Sequence, residues 1–305
     1  MINKSMIFGE DTEQESDFSV TKYTCDTCGS VFCTEVGKKV VNCILCGSSS
    51  LVAENYNEKK KLFVIPFSKT LRDAKENYKK KTFWNFLVPF SFKSGKTLKK
   101  IEKVFLPAFL ANADHEGKIA FLAGDKEKIV YKGKKCSEIK RYEVLYNIHL
   151  DYKNVLLNAS TKITERLFNN LCSVYDCSKL KELTPSSMKD ASYVISDVSA
   201  ADMGNKERDK ISKYSLLQVR NNIGHALKKL KSDDSVVKFY DAKEVLIPVY
   251  MVNIKYGHKN YQYIMNGQTG ESYIKLPIGI FETFLFILIF GGIVFLITYL
   301  LIRYL

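Results

Sequence analysis

Residues 21–50 read TKYTCDTCGSVFCTEVGKKVVNCILCGSSS. Two Cys-x-x-Cys pairs stand fourteen residues apart, each followed directly by Gly. Two residues between cysteines let a tight turn place both sulfurs on one side, about 2.3 Å from a common ion. Gly29 and Gly47 supply residues that can take positive φ, so that backbone N–H groups can turn toward the sulfurs. The pattern predicts a zinc ribbon over residues 21–56 in which Cys25, Cys28, Cys43 and Cys46 hold one structural Zn2+ ion. All four positions come from protein, so no position is left open for catalysis. About thirty residues cannot bury enough surface to fold unaided, and the metal supplies the missing folding energy. The competing reading is disulfides or unpaired thiols, and a reducing compartment disfavours the former.

Cys33 has no second cysteine at knuckle spacing, and Cys136, Cys172 and Cys177 read as ordinary thiols. The ribbon is nearly neutral, with Lys22, Lys38 and Lys39 set against Asp26, Glu35 and Glu54. That balance suits contact with a protein better than a grip on DNA.

On the N-terminal side, residues 1–20 are acidic and read as a disordered tail. They contain no apolar run of the kind a secretory signal needs. On the other side, residues 57–104 carry fourteen Lys/Arg against four Asp/Glu, much of the chain's net charge of +13. At the far end, residues 283–302 (TFLFILIFGGIVFLITYLLI) contain no charge. Twenty residues at 1.5 Å each span about 30 Å, the thickness of a bilayer's hydrocarbon layer. A transmembrane helix is expected over 281–302, making a single-pass, tail-anchored protein of the cell membrane whose body lies in the cytoplasm. Gly291-Gly292 would let a second helix approach closely, which admits a homo-oligomer.

Residues 57–277 read as an α+β body. After a linker at 57–61 come a short apolar strand at 62–67 and a helix to Lys81 capped by Ser68 or Thr70, with Leu71, Ala74 and Tyr78 on one face. TFWNFLVPFSF, residues 82–92, has two readings: an aromatic cluster at the lipid headgroups, or a core strand, which is preferred because aromatics are common in cores. Residues 104–121 line up with 245–263, matching Pro107 with Pro248 and Asn112 with Asn253. Each copy reads as alternating strand entering a hairpin, with turns near Gly117 and Gly257, giving two related β-meander units. Asn266-Gly267 signals a further turn before 271–274. Residues 159–172 and 202–231 read as helices, the second with Ile211, Leu216, Val219, Ile223, Leu227 and Leu230 toward the core.

No catalytic signature is legible. Lys93-Ser94-Gly95-Lys96-Thr97 lacks the Walker glycine, its place being held by Phe90. His115, His149, His225 and His258 are scattered singly, and Asp114 and Glu116 flank His115 on what would be the opposite strand face. A non-enzymatic protein is expected.

Three pieces together resemble the bacterial TFIIB-type zinc ribbon-containing membrane proteins, a family often labelled primosomal protein N or replication restart helicase. They are the CxxCG knuckles, the strand around LPAFLANAD, and VLIPVYMVNIKYGHKNYQYIMNGQTGESYIKLP followed by a membrane helix. YDCSKLKELTPSSM at 175–188 adds to the likeness, and NGQTG at 266–270 is its most distinctive part after the cysteines. The resemblance implies metal ligation by Cys25, Cys28, Cys43 and Cys46; the helicase label does not carry over, because the motifs of ATP-driven unwinding are absent. The expected role is an adaptor that docks a cytoplasmic protein partner at the lipid bilayer, with residues 57–104 near anionic lipid. The alternatives are a membrane-tethered nucleic-acid binder using the same segment, or a solvated lysine face.

Overall fold

The structure, a computed structural model, describes residues 18–131, 134–172, 175–199 and 204–304. Residues 1–17 of the expected acidic tail lie outside the described residues, whereas 18–20 already belong to a strand.

In chain order the first elements are β1 (Phe18–Cys25), β2 (Val31–Glu35), β3 (Leu51–Glu58), β4 (Phe63–Val64), α1 (Leu71–Phe83), α2 (Phe90–Lys93) and α3 (Gly95–Lys99). Two long strands follow, β5 (Glu102–Tyr131) and β6 (Lys134–Asn158), then α4 (Glu165–Cys172), β7 (Lys181–Glu182) and β8 (Ala191–Val194). The rest comprises α5 (Gly204–Asn222), β9 (Leu227–Asp233), β10 (Val236–Tyr256), β11 (Lys259–Asn266), β12 (Ser272–Ile274) and α6 (Ile280–Tyr304). The fold is thus mixed α+β with a large sheet and a terminal apolar helix.

The chain forms two compact units. The ribbon-bearing unit comprises Thr12–Ala108, Ser160–Asp197 and Val245–Leu305; the long-strand unit contains Phe109–Ala159 and Val198–Glu244. The expected body of 57–277 is therefore shared between them.

In the ribbon-bearing unit the strand order is β12-β11-β10-β5-β8-β2-β1-β3. The ribbon is not a separate head: β2 pairs antiparallel with β8, Phe32 opposite Val194, and so joins the sheet. At the sheet centre Val104–Ala108 and Val245–Met251 are buried continuously. These runs were expected to alternate, but both faces are covered, and an unbroken apolar run is what such a strand requires. One apolar cluster gathers Leu62, Val64, Phe105, Tyr193 and Leu246. A second packs Ala74 and Tyr78 of α1 against Tyr250 and Tyr263 of the sheet. The start of α1 follows the expected chemistry: Thr70 accepts from Asp73 N while Asp73 accepts from Thr70 N, satisfying two end donors at once.

In the long-strand unit β9 pairs antiparallel with β5 over Ile119–Gly124, and β6 also pairs with β5. Val219 and Ile223, from α5 and just beyond it, pack on Ile119, Phe121 and Ile148.

Three expectations fail here. Gly117 makes no turn; β5 runs straight through it. Its φ is 145°, and a Cβ there would lie 2.4 Å from Ser235 Cα, so glycine serves close backbone approach. Only the second copy of the repeat turns, at Gly257 between β10 and β11, so the pair of β-meanders is not established. The second predicted helix stops at Asn222, and Leu227 and Leu230 lie on β9, where LKKLKSD pairs with β5 instead of continuing the helical face. Residues 82–92 form no core strand: α1 ends at Phe83, α2 begins at Phe90, and Phe83, Trp84, Phe86 and Phe90 are exposed. The first predicted helix is short, beginning at Glu165.

Helix α6 is the one described helix long and apolar enough to cross a membrane, and its apolar window is wholly exposed.

Candidate metal centre

The two knuckles have the same backbone construction. Gly29 N donates to Cys25 O and Gly47 N to Cys43 O, both at 2.8 Å. Cys25 N donates to Ser30 O (3.0 Å) and Cys43 N to Ser48 O (2.7 Å), closing each turn across its base. Gly29 and Gly47 sit at φ 69° and 75°, left-handed positions that a side chain would strain. Strand β1 delivers Cys25 at its last residue and pairs with β2 and β3, fixing the first knuckle. Tyr23 stacks on Phe32 across that pair, with ring centroids 5.4 Å apart.

The second knuckle is held from outside the ribbon. Asn253 Nδ2 donates to Ile44 O (2.5 Å), Asn260 Nδ2 to Cys46 O (3.0 Å) and Gln262 Nε2 to Leu45 O (3.5 Å). Three successive carbonyls are thus held by the β10–β11 hairpin. Sequence reasoning missed these three residues; the signal was Asn253, singled out by the repeat but without a role. Its counterpart Asn112 serves the long-strand unit, where its Oδ1 accepts from Asn154 N at 3.1 Å.

The ligand atoms of Cys25, Cys28, Cys43 and Cys46 all lie within 4.8 Å of one another. Cys25 Sγ is 3.7 Å from Cys46 Sγ, and Cys28 Sγ is 3.8 Å from Cys43 Sγ. Four sulfurs about 2.3 Å from a central ion in a tetrahedron sit about 3.8 Å apart, whereas a disulfide bond is about 2.0 Å. The spacing fits metal ligation, and the cluster can hold a metal ion.

Ser30 lies beside it, with its Oγ 3.1 Å from Cys28 Sγ and 3.3 Å from Cys43 Sγ. Burial raises the Cys28 thiol, but hydrogen bonds from Ser30 and its neighbours outweigh it and bring the thiol down to about 7. Burial pushes Cys43 and Cys46 upward. A dication is the partner that would convert them to thiolates. Cys33 belongs to the apolar core and stands outside the four-sulfur cluster, and burial pushes its thiol up to about 11. Cys177 is half-buried, its Sγ 3.7 Å from Tyr175 O, while the side chains of Cys136 and Cys172 lie outside the described residues.

The NGQTG segment is also structural. Asn266 is fully buried; its Nδ2 donates to Leu171 O at 2.9 Å, and its Oδ1 accepts from Gln268 N and Thr269 N. Gln268 Oε1 accepts from Asp176 N at 2.6 Å. The turn therefore fastens the segments around 171 and 176 to the sheet.

A cleft of about 450 Å³ opens beside the second knuckle, with Lys38, Lys39, Lys100 and Lys255 set against Glu102.

Among known proteins, this chain is similar to the uncharacterized protein YdjG of Bacillus subtilis strain 168, with 25% identity over 218 residues. The match covers 70% of this chain and 63% of that protein, so the chain spans less than two thirds of the relative's length. No family model and no solved structure matches.

Proposed function

We propose that this protein is a non-enzymatic, membrane-anchored adaptor of the TFIIB-type zinc ribbon-containing kind, in which one zinc ion at Cys25, Cys28, Cys43 and Cys46 rigidifies a surface that docks a cytoplasmic protein. Zinc is the ion favoured by four thiolates in a closed tetrahedral arrangement. The observation that carries the reading is the attachment of α6. Phe90 N donates to Glu282 Oε1 at 2.9 Å and Gly279 N to Leu87 O at 2.8 Å. A freely jointed anchor would need neither bond; here the foot of the apolar helix is fastened to the folded unit. A body fixed in this way presents a constant face at the membrane, which suits docking.

The decisive experiment is photo-crosslinking in intact cells from positions on the ribbon surface, with Val41 and Val52 as exposed sites. A discrete crosslinked protein supports the adaptor. Crosslinks to nucleic acid alone would overturn it. The second reading, a tethered nucleic-acid binder, is favoured by the lysine-lined cleft beside the second knuckle. Full-length protein in lipid discs, titrated with duplex DNA across a salt series, separates the two. A nucleic-acid function requires a log affinity that falls steeply and linearly with log salt.

A further inference from the structure

Phe83, Trp84, Phe86 and Phe90 are 64%, 71%, 64% and 58% exposed. Four large aromatic rings within eight residues are an unusual cost for a water-facing loop, since contiguous apolar patches on soluble surfaces commonly mark interaction sites. The loop is not loose. Val88 and Phe92 are buried and anchor it in the apolar cluster behind, with Tyr78 OH donating to Phe92 O at 2.8 Å. The exposed rings therefore stand on a fixed base, and Phe83 and Trp84 make an edge-to-face pair at 5.4 Å.

What covers them follows from the two bonds at the foot of α6. Leu87 is tied to Gly279 and Phe90 to Glu282, a carboxylate that is itself buried. Residues 279 and 282 are less than one helical turn apart, about 4.5 Å along the axis. The aromatic loop thus lies level with the first turn of α6, where the uncharged run from residue 283 begins. If α6 spans a bilayer, that level is the boundary between headgroups and acyl chains. Trp and other amphipathic rings concentrate at this depth. Ile278, Ile280 and Phe281 add exposed apolar surface at the same level. Lysines flank the loop: Lys80 and Lys81 in the last turn of α1, and Lys93 with its Nζ 5.9 Å from the Phe90 ring. Lysines near an anionic membrane surface are drawn to it electrostatically.

We infer that residues 83–90 form an interfacial wedge, inserted among the headgroups of the same bilayer that α6 crosses, with its lysines favouring anionic lipid. This inference rests on the membrane reading of α6. It adds a second point of contact that fixes the tilt of the folded unit, which a single helix cannot do. A helix alone leaves rotation and tilt to be set by neighbours and interfacial anchors.

Trp84 is the chain's one tryptophan, so it reports on this loop without ambiguity. The test uses the full chain in vesicles of phosphatidylcholine and phosphatidylglycerol. Fluorescence is quenched in turn by acrylamide in water, by lipid spin-labelled near the headgroup, and by lipid labelled at the chain end. Alkaline carbonate extraction of the same vesicles monitors α6 separately. The expected result is blue-shifted emission, loss of acrylamide access, and stronger quenching by the shallow label than by the deep one. A chain that resists extraction while Trp84 remains open to acrylamide would overturn the wedge and leave the span standing. Trp84 shielded from both acrylamide and lipid labels would assign the patch to a protein contact and overturn the wedge as well. A chain released by carbonate would remove the span and the wedge together. Replacing Phe86 and Phe90 by Ser, both exposed, is expected to return Trp84 emission toward that of a water-exposed indole while the chain stays embedded.

Discussion

In the ribbon-bearing unit, two apolar clusters are supplemented by polar, specific fasteners: four converging sulfurs, three amides on the second knuckle's carbonyls, and the buried Asn266. In the long-strand unit, fastening is mostly apolar, residues of α5 and beyond packing on β5 and β6, with His115 as a buried polar point. The difference has a consequence. A structure held by directional contacts fails when one contact is removed, whereas an apolar face fails through volume or an uncompensated charge. The two units should therefore respond to different perturbations.

The largest effect is expected from Cys43→Ser. Structural zinc contributes on the order of 10 kcal/mol in isolated zinc-binding peptides, and three thiolates do not close the site. Metal analysis should fall from one zinc per chain to none. Hydrogen exchange should show β1, β2 and β3 losing protection while β5 residues 119–124 and α5 keep theirs. Equal loss in both units would dissolve the contrast.

Gly117→Ala attacks the other unit. The added Cβ would lie 2.4 Å from Ser235 Cα and 2.8 Å from Asp234 O, backbone atoms that no side-chain rotation relieves. Overpacking of this kind costs about 3 kcal/mol. Zinc content should be unchanged, and faster exchange should be confined to β5, β9 and α5.

Asn266→Ala returns to the ribbon-bearing unit with an effect of about 2 kcal/mol, the cost of leaving buried backbone groups unpaired. Leu171 O would lose its donor, and Gln268 N and Thr269 N their acceptor. A lower midpoint in denaturant with zinc retained would show that this turn and the metal cluster are independent fasteners of one unit.

These positions also show how far the sequence could be read. The cysteines were legible because metal ligation needs fixed spacing, and fixed spacing survives in one dimension. The apolar helix was legible because crossing lipid needs length and composition alone. Thr70 with Asp73 announced the start of α1 through a purely local bond pair. What failed depended on contacts distant in sequence. Gly117 looks like a turn until Ser235, more than a hundred residues on, occupies the space beside it. Leu227 and Leu230 keep helical spacing, and the partner that makes them strand is β5. The aromatics of 82–92 suit a core or a membrane surface equally well, and only the bonds to Leu87 and Phe90 from the foot of α6 bring them level with its first turn. Asn253, Asn260 and Gln262 carry no motif because a side chain that holds another segment's carbonyl obeys no local pattern.

The smallest effect separates the units by pH. His115 is fully buried, its Nδ1 2.8 Å from Ser215 Oγ and its Nε2 2.8 Å from Ser235 Oγ, while Tyr152 OH shares the Ser215 hydroxyl at 2.7 Å. Burial disfavours the imidazolium and lowers the folded-state pKa below its ordinary value of 6.5, although the charge of Asp233 opposes the shift. As pH falls through 6.5 the unfolded chain takes up the proton first, so the folded state loses relative stability. The stability His115 leaves intact is full above that value and declines as pH drops toward the lowered one. The slope cannot exceed about 1.4 kcal/mol per pH unit for one proton. Amide exchange in β5 residues 119–124 and in α5, corrected for intrinsic rates, should quicken between pH 7.5 and 5.5. In His115→Gln, where an uncharged amide replaces the ring between the two serines, that pH dependence should vanish. Zinc measured on the same samples guards against acid release of the metal being mistaken for the histidine, because thiolate protonation would loosen β1–β3 and leave α5 protected.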